Sequence, residues 1–94
     1  MRVKWLRTAK NNLDAEMEYI AHDDHETGKK LFAYIMERVS GLEKYQNAGR
    51  QGRVFGTREL VIDRYPYIIP YRVRDDVVEI LRVFHTSRKP PKEW

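Results

Sequence analysis

The 94-residue chain contains no cysteine, and this absence excludes disulfides, thiol chemistry and zinc sites built on cysteine. It contains no apolar run near the ~20 residues that a membrane-spanning helix needs, so no membrane association is expected. The opening residues, MRVKWLRTAK, lack the uninterrupted apolar stretch of a secretory signal peptide. These three absences together predict a cytoplasmic protein in a reducing compartment.

The chain is also too short for two independent hydrophobic cores, so residues 1–94 are expected to form a single domain. An apolar fraction of 41% excludes a disordered chain, although 34% of the residues are charged. A domain of this size buries only about 60–65% of the surface of its unfolded chain. We therefore expect marginal stability in isolation, or stabilisation by a bound partner.

The net charge of +4 is concentrated in the C-terminal half of the sequence. Residues 1–47 contain eight basic and eight acidic residues, whereas residues 48–94 contain ten basic and six acidic residues. Eight of those ten basic residues are arginines, whose planar guanidinium suits carboxylate and phosphate recognition. This half is expected to face an acidic partner.

The first half has the periodicity of two helices after a short strand over residues 3–7. Thr8 is expected to cap the first helix, and Asp23 or Asp24 the second. A very short connection predicts that the helices pack as an antiparallel hairpin. The apolar positions of the two stripes are Ala9, Leu13, Met17, Ile20 and Ala21, then Leu31, Phe32, Ile35, Met36, Val39 and Leu42.

The second half has strand periodicity, with strands predicted over residues 57–62, 67–73 and 77–84. Residues 46–56 are expected to form a glycine-rich loop, residues 63–66 and 74–76 turns, and residues 85–94 an irregular tail. The order β-α-α-β-β-β predicts an α+β domain with a helical hairpin packed on one face of an antiparallel sheet.

Strand alternation predicts which side chains face the helices. Arg72 and Arg82, and Arg58 if its register matches, are expected together on the opposite, open face. Pro70 is expected to mark a sheet edge or a bulge, because proline has no N–H for strand pairing. The side chains predicted to face the helices are Tyr67, Ile69, Tyr71, Val73, Leu81 and Val83.

No metal or cofactor is expected. The cluster at residues 22–25 (HDDH) lies in the predicted interhelical turn without further ligands, so we interpret it as a solvated capping turn. The glycines of the 46–56 loop lack the Gly-Lys-Ser/Thr of a phosphate-binding loop. Arg50 and Arg53 in that loop are either solvated or form a contact arm for an acidic surface.

Four strings of sequence, in this order and spacing, resemble the RelE/ParE superfamily, the toxins of bacterial type II toxin–antitoxin pairs. The string VVEILRVFHTSRK at residues 77–89 carries most of the resemblance. The others are YIIPYRV at 67–73, GRQGRVFGTREL at 49–60 and VKWLRTAKNNLD at 3–14. Together they cover nearly the whole chain.

The resemblance implies a toxin that a cognate antitoxin neutralises in a tight complex, and it leaves two targets open. ParE-like members inhibit DNA gyrase, whereas RelE-like members cut messenger RNA on the ribosome without a metal. A ribonuclease would here use Arg72, Arg82 and His85. RelE-like sites generally include a tyrosine near the C-terminus, but the last tyrosine here is Tyr71. This absence and the VEILRVFH ending favour the ParE-like, non-enzymatic branch.

The ParE-like interpretation predicts a target-binding surface on the loop, the sheet and the tail. Three residues of this surface also have a structural interpretation. His85 is then a histidine bonded to backbone, Arg82 forms a salt bridge with Glu59 or Glu79, and Trp94 belongs to a tail that is either frayed or folded back on the domain. The predicted target-binding residues are Arg50, Arg53, Arg58, Arg82, His85, Arg88, Lys89 and Trp94.

Overall fold

A computed structural model describes residues 1–94, and it contains two helices and six strands. A single 3₁₀ turn, Gly41–Glu43, follows the second helix. Neither helix is long and apolar enough to span a bilayer. The elements in chain order are β1 (Arg2–Trp5), α1 (Arg7–Asp23), α2 (His25–Ser40), β2 (Arg50–Gln51), β3 (Arg58–Ile62), β4 (Tyr67–Arg74), β5 (Val77–Ile80) and β6 (Phe84–His85).

The two helices form the predicted hairpin, and Asp24 is the residue that starts the second one. Its carboxylate accepts hydrogen bonds from the backbone N–H of Glu26 at 3.1 Å and of Thr27 at 3.3 Å. Side-chain and backbone bonds from Thr27 lower the pKa of Asp24. The prediction of Thr8 as the first cap is wrong, because α1 begins at Arg7 after Leu6, which makes no side-chain cap bond.

The strands form one mixed sheet in the order β1-β5-β4-β3-β2, with β6 also paired to β4. Most pairs are antiparallel, but β1 runs parallel to β5, with Trp5 opposite Ile80. The fully antiparallel sheet of the prediction is therefore corrected, because the chain between β1 and β5, which includes the helical hairpin and three strands, provides the crossover that a parallel pair needs. The α+β fold with the hairpin on one face is confirmed, and β2 adds a strand inside the predicted loop.

The last predicted strand is divided into β5 and β6 by a β-bulge. Tyr71 lies opposite Ile80 and Ile68 opposite Phe84, so three steps along β4 match four steps along its partner. The backbone N–H of Leu81 donates to the carbonyl of Pro70 at 2.9 Å. The backbone N and O atoms of a strand residue point to the same side. The N–H group that proline lacks would therefore lie at the bulge if another residue stood at position 70. The predicted bulge is present, and it lies in the strand beside the proline.

The bulge changes which residues of this strand reach the core. Val78 and Ile80 before it and Val83 after it pack in the core, whereas Leu81 lies outside the core cluster. The prediction for Leu81 is therefore wrong. Val73 faces the helices as predicted, because it lies opposite the core residue Val78, although its place at the hairpin end of β4 leaves it 46% exposed. The core residues are Ala9, Leu13, Leu31, Ile35, Val39, Leu42, Leu60, Ile62, Tyr67, Ile69, Tyr71, Val78, Ile80 and Val83.

Two members of the predicted α2 stripe are not core residues. Phe32 and Met36 are 40% and 37% exposed. The buried line of this helix follows Leu31 and Ile35, so the residue after each lies about 100° further round the helix. The helical layer therefore keeps an apolar pair at its surface.

Candidate functional site

A groove of about 600 Å³ lies on the open side of the sheet, where β4, β5, the 52–57 loop and the tail meet. Arg72 and Arg82 both line it, as the sequence predicts. The other lining residues include Phe55, Val73, Arg74, Leu81, Glu93 and Trp94.

Two of the groove arginines share one carboxylate. Arg72 lies opposite Glu79 across the β4–β5 pair, and its Nε donates to Glu79 Oε1 at 2.8 Å. Arg74 Nε lies 4.0 Å from the same oxygen. The hydrogen bond from Arg72 is the main cause that lowers the pKa of Glu79. Because two guanidiniums share one carboxylate, the side of the groove formed by Arg72, Arg74 and Glu79 has a net positive charge.

The third groove arginine, Arg82, lies in the bulge and bonds only to backbone oxygens. Its Nη1 donates to the carbonyl of Leu81 at 2.7 Å, and its Nη2 donates to the carbonyl of Trp94. The Trp94 ring meets Phe84 edge-on with centroids 5.3 Å apart. The tail therefore folds back on the domain. The suggested salt bridge of Arg82 with Glu59 or Glu79 is absent, because both carboxylates pair with other arginines.

The loop arginines Arg50 and Arg53 are fixed by a buried carboxylate. Glu59 is only 1% exposed, and it accepts five hydrogen bonds from these two residues, at 2.9 to 3.3 Å. Burial alone would raise the pKa of Glu59, but the hydrogen bonds from Arg53 and Arg50 outweigh it and lower the pKa. The loop is therefore held in one conformation, and its arginines remain partly exposed at 56% and 39%.

Arg58 does not join the open-face arginines, because the β3–β4 register places it opposite Tyr71. Its Nη1 donates to the carbonyl of Gly49 at 2.9 Å. The Tyr71 hydroxyl accepts from Gly49 N–H at 2.9 Å and donates to the Gln46 carbonyl at 2.6 Å. A Cβ on Gly49 would lie 2.6 Å from the Tyr71 ring, so this position requires glycine. Burial raises the pKa of Tyr71.

His85 and Arg88 lie away from the groove, in a depression shared with Glu16 and Tyr67. The Nδ1 of His85 accepts from the Ser87 N–H at 3.1 Å, and its ring meets Tyr67 edge-on at 5.1 Å. Arg88 Nη1 lies 2.9 Å from Glu16 Oε1, and the Tyr67 hydroxyl donates to Glu16 at 3.2 Å. Burial and the nearby Glu16 carboxylate raise the pKa of Tyr67 to about 12.

The eight predicted target-binding residues thus divide into separate groups. Arg82 and Trp94 line the groove, Arg50, Arg53 and Arg58 hold the neighbouring loop, and His85 and Arg88 lie in the second depression. Lys89 is exposed and makes no ion pair. No group of three or more His, Cys, Asp or Glu side chains is arranged to hold a metal.

Sequence reasoning missed the most exposed aromatic residue of this surface, Phe55, which is 101% exposed. It also missed the partners of Glu59. The run GRVFG, a bulky apolar pair between glycines in a basic loop, was the available signal for Phe55.

Comparison with known proteins places the chain in a family. A family model described as the ParE toxin of type II toxin–antitoxin system, parDE, matches residues 3–90. The chain belongs to the ParE toxin family. The predicted RelE/ParE superfamily and its ParE-like branch are thereby confirmed.

Curated relatives and a solved structure agree with this assignment of the ParE-family toxin. A candidate toxin of Sinorhizobium fredii, Y4kP, is 42% identical over 91 residues, which are 97% of this chain and 94% of that protein. Toxin RelE2 of Caulobacter vibrioides is 30% identical over 87 residues, 93% of this chain and 97% of that protein. A structure described as the chromosomal ParDE TA system from P. aeruginosa matches with a TM-score of 0.84 and 34% identity, over 90% of this chain and 95% of its own.

The ParE-family toxin is therefore the toxin component of a type II toxin–antitoxin system. Membership of such a system supports the predicted cognate antitoxin as a partner.

Proposed function

We propose that this ParE-family toxin arrests growth by binding DNA gyrase in the cytoplasm, and that its antitoxin relieves this inhibition. The observation that carries the proposal is the separation of the three groups that a ribonuclease would need. Arg72 and Arg82 line the groove, whereas His85 lines the second depression.

This separation matters because metal-free RNA cleavage needs a base, an acid and cations around one phosphate. Here Nδ1 of His85 is bonded to Ser87, and Arg72 is paired with Glu79. The last tyrosine, Tyr71, is buried with its hydroxyl bonded on two sides and its pKa raised. These contacts favour a toxin that acts by binding.

The open side of the sheet is the proposed gyrase contact. Arg82 and Trp94 would contribute from the groove, and Arg50 and Arg53 from the loop, which Arg58 supports through Gly49. His85 and Arg88, which lie away from the groove beside Glu16, and Lys89 in the tail would form a second part of the contact. All eight side chains belong to the half of the chain that holds the positive surplus.

A ribosome-dependent messenger RNA endonuclease is the second candidate, because a relative named toxin RelE2 aligns with 93% of the chain. The two candidates predict opposite results in two assays. Purified toxin is added to gyrase supercoiling and DNA-cleavage reactions, and separately to a translation reaction followed by primer extension on the message. We expect inhibited supercoiling and accumulated gyrase–DNA cleavage complexes, with an intact message. Message cut in the ribosomal A-site with unaffected gyrase would replace our proposal with the endonuclease.

The His85→Ala variant tests the same choice within the toxin. A toxin that acts by binding should retain growth arrest to within a few-fold, because His85 contributes at most part of a large contact. The matched control is His25→Ala, at the exposed start of α2. Loss of toxicity in His85→Ala alone, with fold and antitoxin binding intact, would contradict the binding mechanism.

A further inference from the structure

Phe55 projects its whole side chain into solvent at the tip of the loop beside the groove. It is 101% exposed, which exceeds the exposure of every other large apolar residue in the chain. A fully exposed phenylalanine contributes no packing to its own fold, and phenylalanine is enriched in the cores of protein interfaces. The Phe55 ring is therefore available to a partner.

The loop that carries Phe55 is held rigidly. Gly52 N–H donates to the Thr57 carbonyl at 2.8 Å, and the Thr57 hydroxyl donates to the Val54 carbonyl at 2.6 Å. Gly56 has a φ of +82°, which closes the turn directly after Phe55. Glu59 fixes the preceding arginines, as described above. A rigid loop loses little conformational entropy when it binds, so the ring is preorganised for a partner.

The surroundings of Phe55 combine apolar and basic side chains. Leu81 lines the same groove, whereas the side chain of Val73 lies on the other face of the sheet, because Val73 is paired with the core residue Val78. Three arginines, Arg72, Arg74 and Arg82, are offset by two glutamates: Glu79 bound to the first of them, and Glu93 in the tail. Phe55 is therefore an exposed apolar side chain beside basic ones, of which Arg74 is the most exposed in the groove.

These surroundings favour a protein segment over nucleic acid as the ligand. A phosphate backbone is bound mainly by unpaired cations, and its affinity grows with the number of phosphates that they neutralise. Here two of the three arginines share a carboxylate, so few unpaired cations are available to a phosphate backbone. An apolar side chain beside a single carboxylate would instead contact Phe55 and the exposed Arg74, whose ion pair with Glu79 spans 4.0 Å.

We propose that Phe55 is the anchor residue of the toxin, and that the groove beside it receives an acidic segment of gyrase protein bearing an apolar side chain. This inference rests on the proposed function, since it names the part of the toxin and the chemistry of the gyrase surface that meet. The proposal assigns the groove to gyrase protein, and not to the antitoxin or to DNA.

Binding of labelled toxin to purified gyrase, together with supercoiling inhibition, tests the anchor. Phe55→Ala should weaken gyrase binding by about 30-fold, as expected for the loss of a central aromatic contact. Phe55→Trp should retain binding to within a few-fold. The matched control is Tyr45→Ala, which removes an aromatic side chain that is 67% exposed in a different loop. It should bind gyrase like the wild type.

Charge reversal tests the acidic part of the ligand. Arg74→Glu changes a groove residue whose side chain is 59% exposed and whose only ion pair spans 4.0 Å. It should weaken gyrase binding at least 10-fold at low salt, with a smaller loss at high salt. Arg2→Glu makes the same change in net charge at an exposed position of β1, so it controls for net charge. Equal losses in the two variants would overturn the proposed acidic ligand.

Three further outcomes would overturn the inference, and they are distinguishable. If wild-type toxin does not bind gyrase, both the inference and the proposed function fail. If wild-type toxin binds and Phe55→Ala binds equally well, only the inference fails. If Phe55→Ala loses affinity for the antitoxin, or loses an affinity for DNA that the wild type shows without gyrase, the occupant of the groove is misassigned.

Discussion

Glu59 and Glu16 are both buried carboxylates bonded to arginine, but the two are held in different ways. Glu59 accepts five hydrogen bonds from Arg50 and Arg53, which lie six to nine residues away in the same loop. Glu16 is paired with Arg88, from the tail, and accepts one bond from Tyr67. The first network holds a local loop rigid, whereas the second holds the beginning of the tail against a helix through one ion pair.

The difference has consequences for function, because the two networks lie under different parts of the proposed gyrase contact. The loop that carries Phe55 is fixed before any partner arrives. The Arg88 side chain is 62% exposed, so water competes with its single carboxylate partner. We therefore expect the loop to bind with little rearrangement, and the tail to change conformation more readily.

The largest expected effect is that of Glu59→Gln. The amide places a donor group against the two guanidiniums and removes the buried negative charge, so the unfolding free energy should fall by about 3 kcal/mol. Urea unfolding followed by circular dichroism measures it. Glu37→Gln is the control, at an exposed position of α2 without an ion pair. A loss no greater than that of the control would show that the Glu59 network does not stabilise the fold.

Acid should remove part of the same stabilisation. The pKa of Glu59 is lowered in the folded state, so the unfolded chain takes up its proton at a higher pH, near the ordinary value of 4.5. The contribution is therefore fully present above pH 4.5 and disappears as the pH falls through the folded pKa. Urea titrations at several pH values should show the wild type and Glu59→Gln converging in acid. A constant difference down to the lowest pH would contradict this assignment.

The smallest expected effect is that of Arg88→Ala. It removes a pair whose basic partner is largely exposed, so the unfolding free energy should fall by only about 1 kcal/mol. Lys89→Ala, next to it and without an ion pair, is the control. Hydrogen exchange should show faster exchange confined to the tail in Arg88→Ala. A loss as large as that of Glu59→Gln would remove the contrast between the two networks.

Much of the fold could be predicted because its signals are local. The helical stripes, the strand order and the cap at Asp24 each depend on residues a few positions apart. The strings at both ends of the chain are likewise local, and they indicate the toxin superfamily. The α+β class and the family were predictable for this reason.

The site was less predictable, because its geometry depends on distant pairings. A bulge reverses strand alternation, so the side of the sheet that Leu81 occupies could not be read from alternation alone. The parallel pairing of β1 with β5 joins the two ends of the chain and leaves no local mark. The β3–β4 register likewise decided that Glu59, and not Arg58, has the open-face position.

Pro70 and the bulge beside it also fix the register in which β4 pairs with its neighbouring strand. A one-residue slip would remove the hydrogen bond from the Leu81 N–H to the Pro70 carbonyl. It would also place a backbone carbonyl of the neighbouring strand against the Pro70 nitrogen, which has no hydrogen to donate. The same slip would move Val83 out of the core and turn Arg82 inward. Core packing and the orientation of the groove arginine are thus tied to a single alignment, so this chain cannot lose one without losing the other.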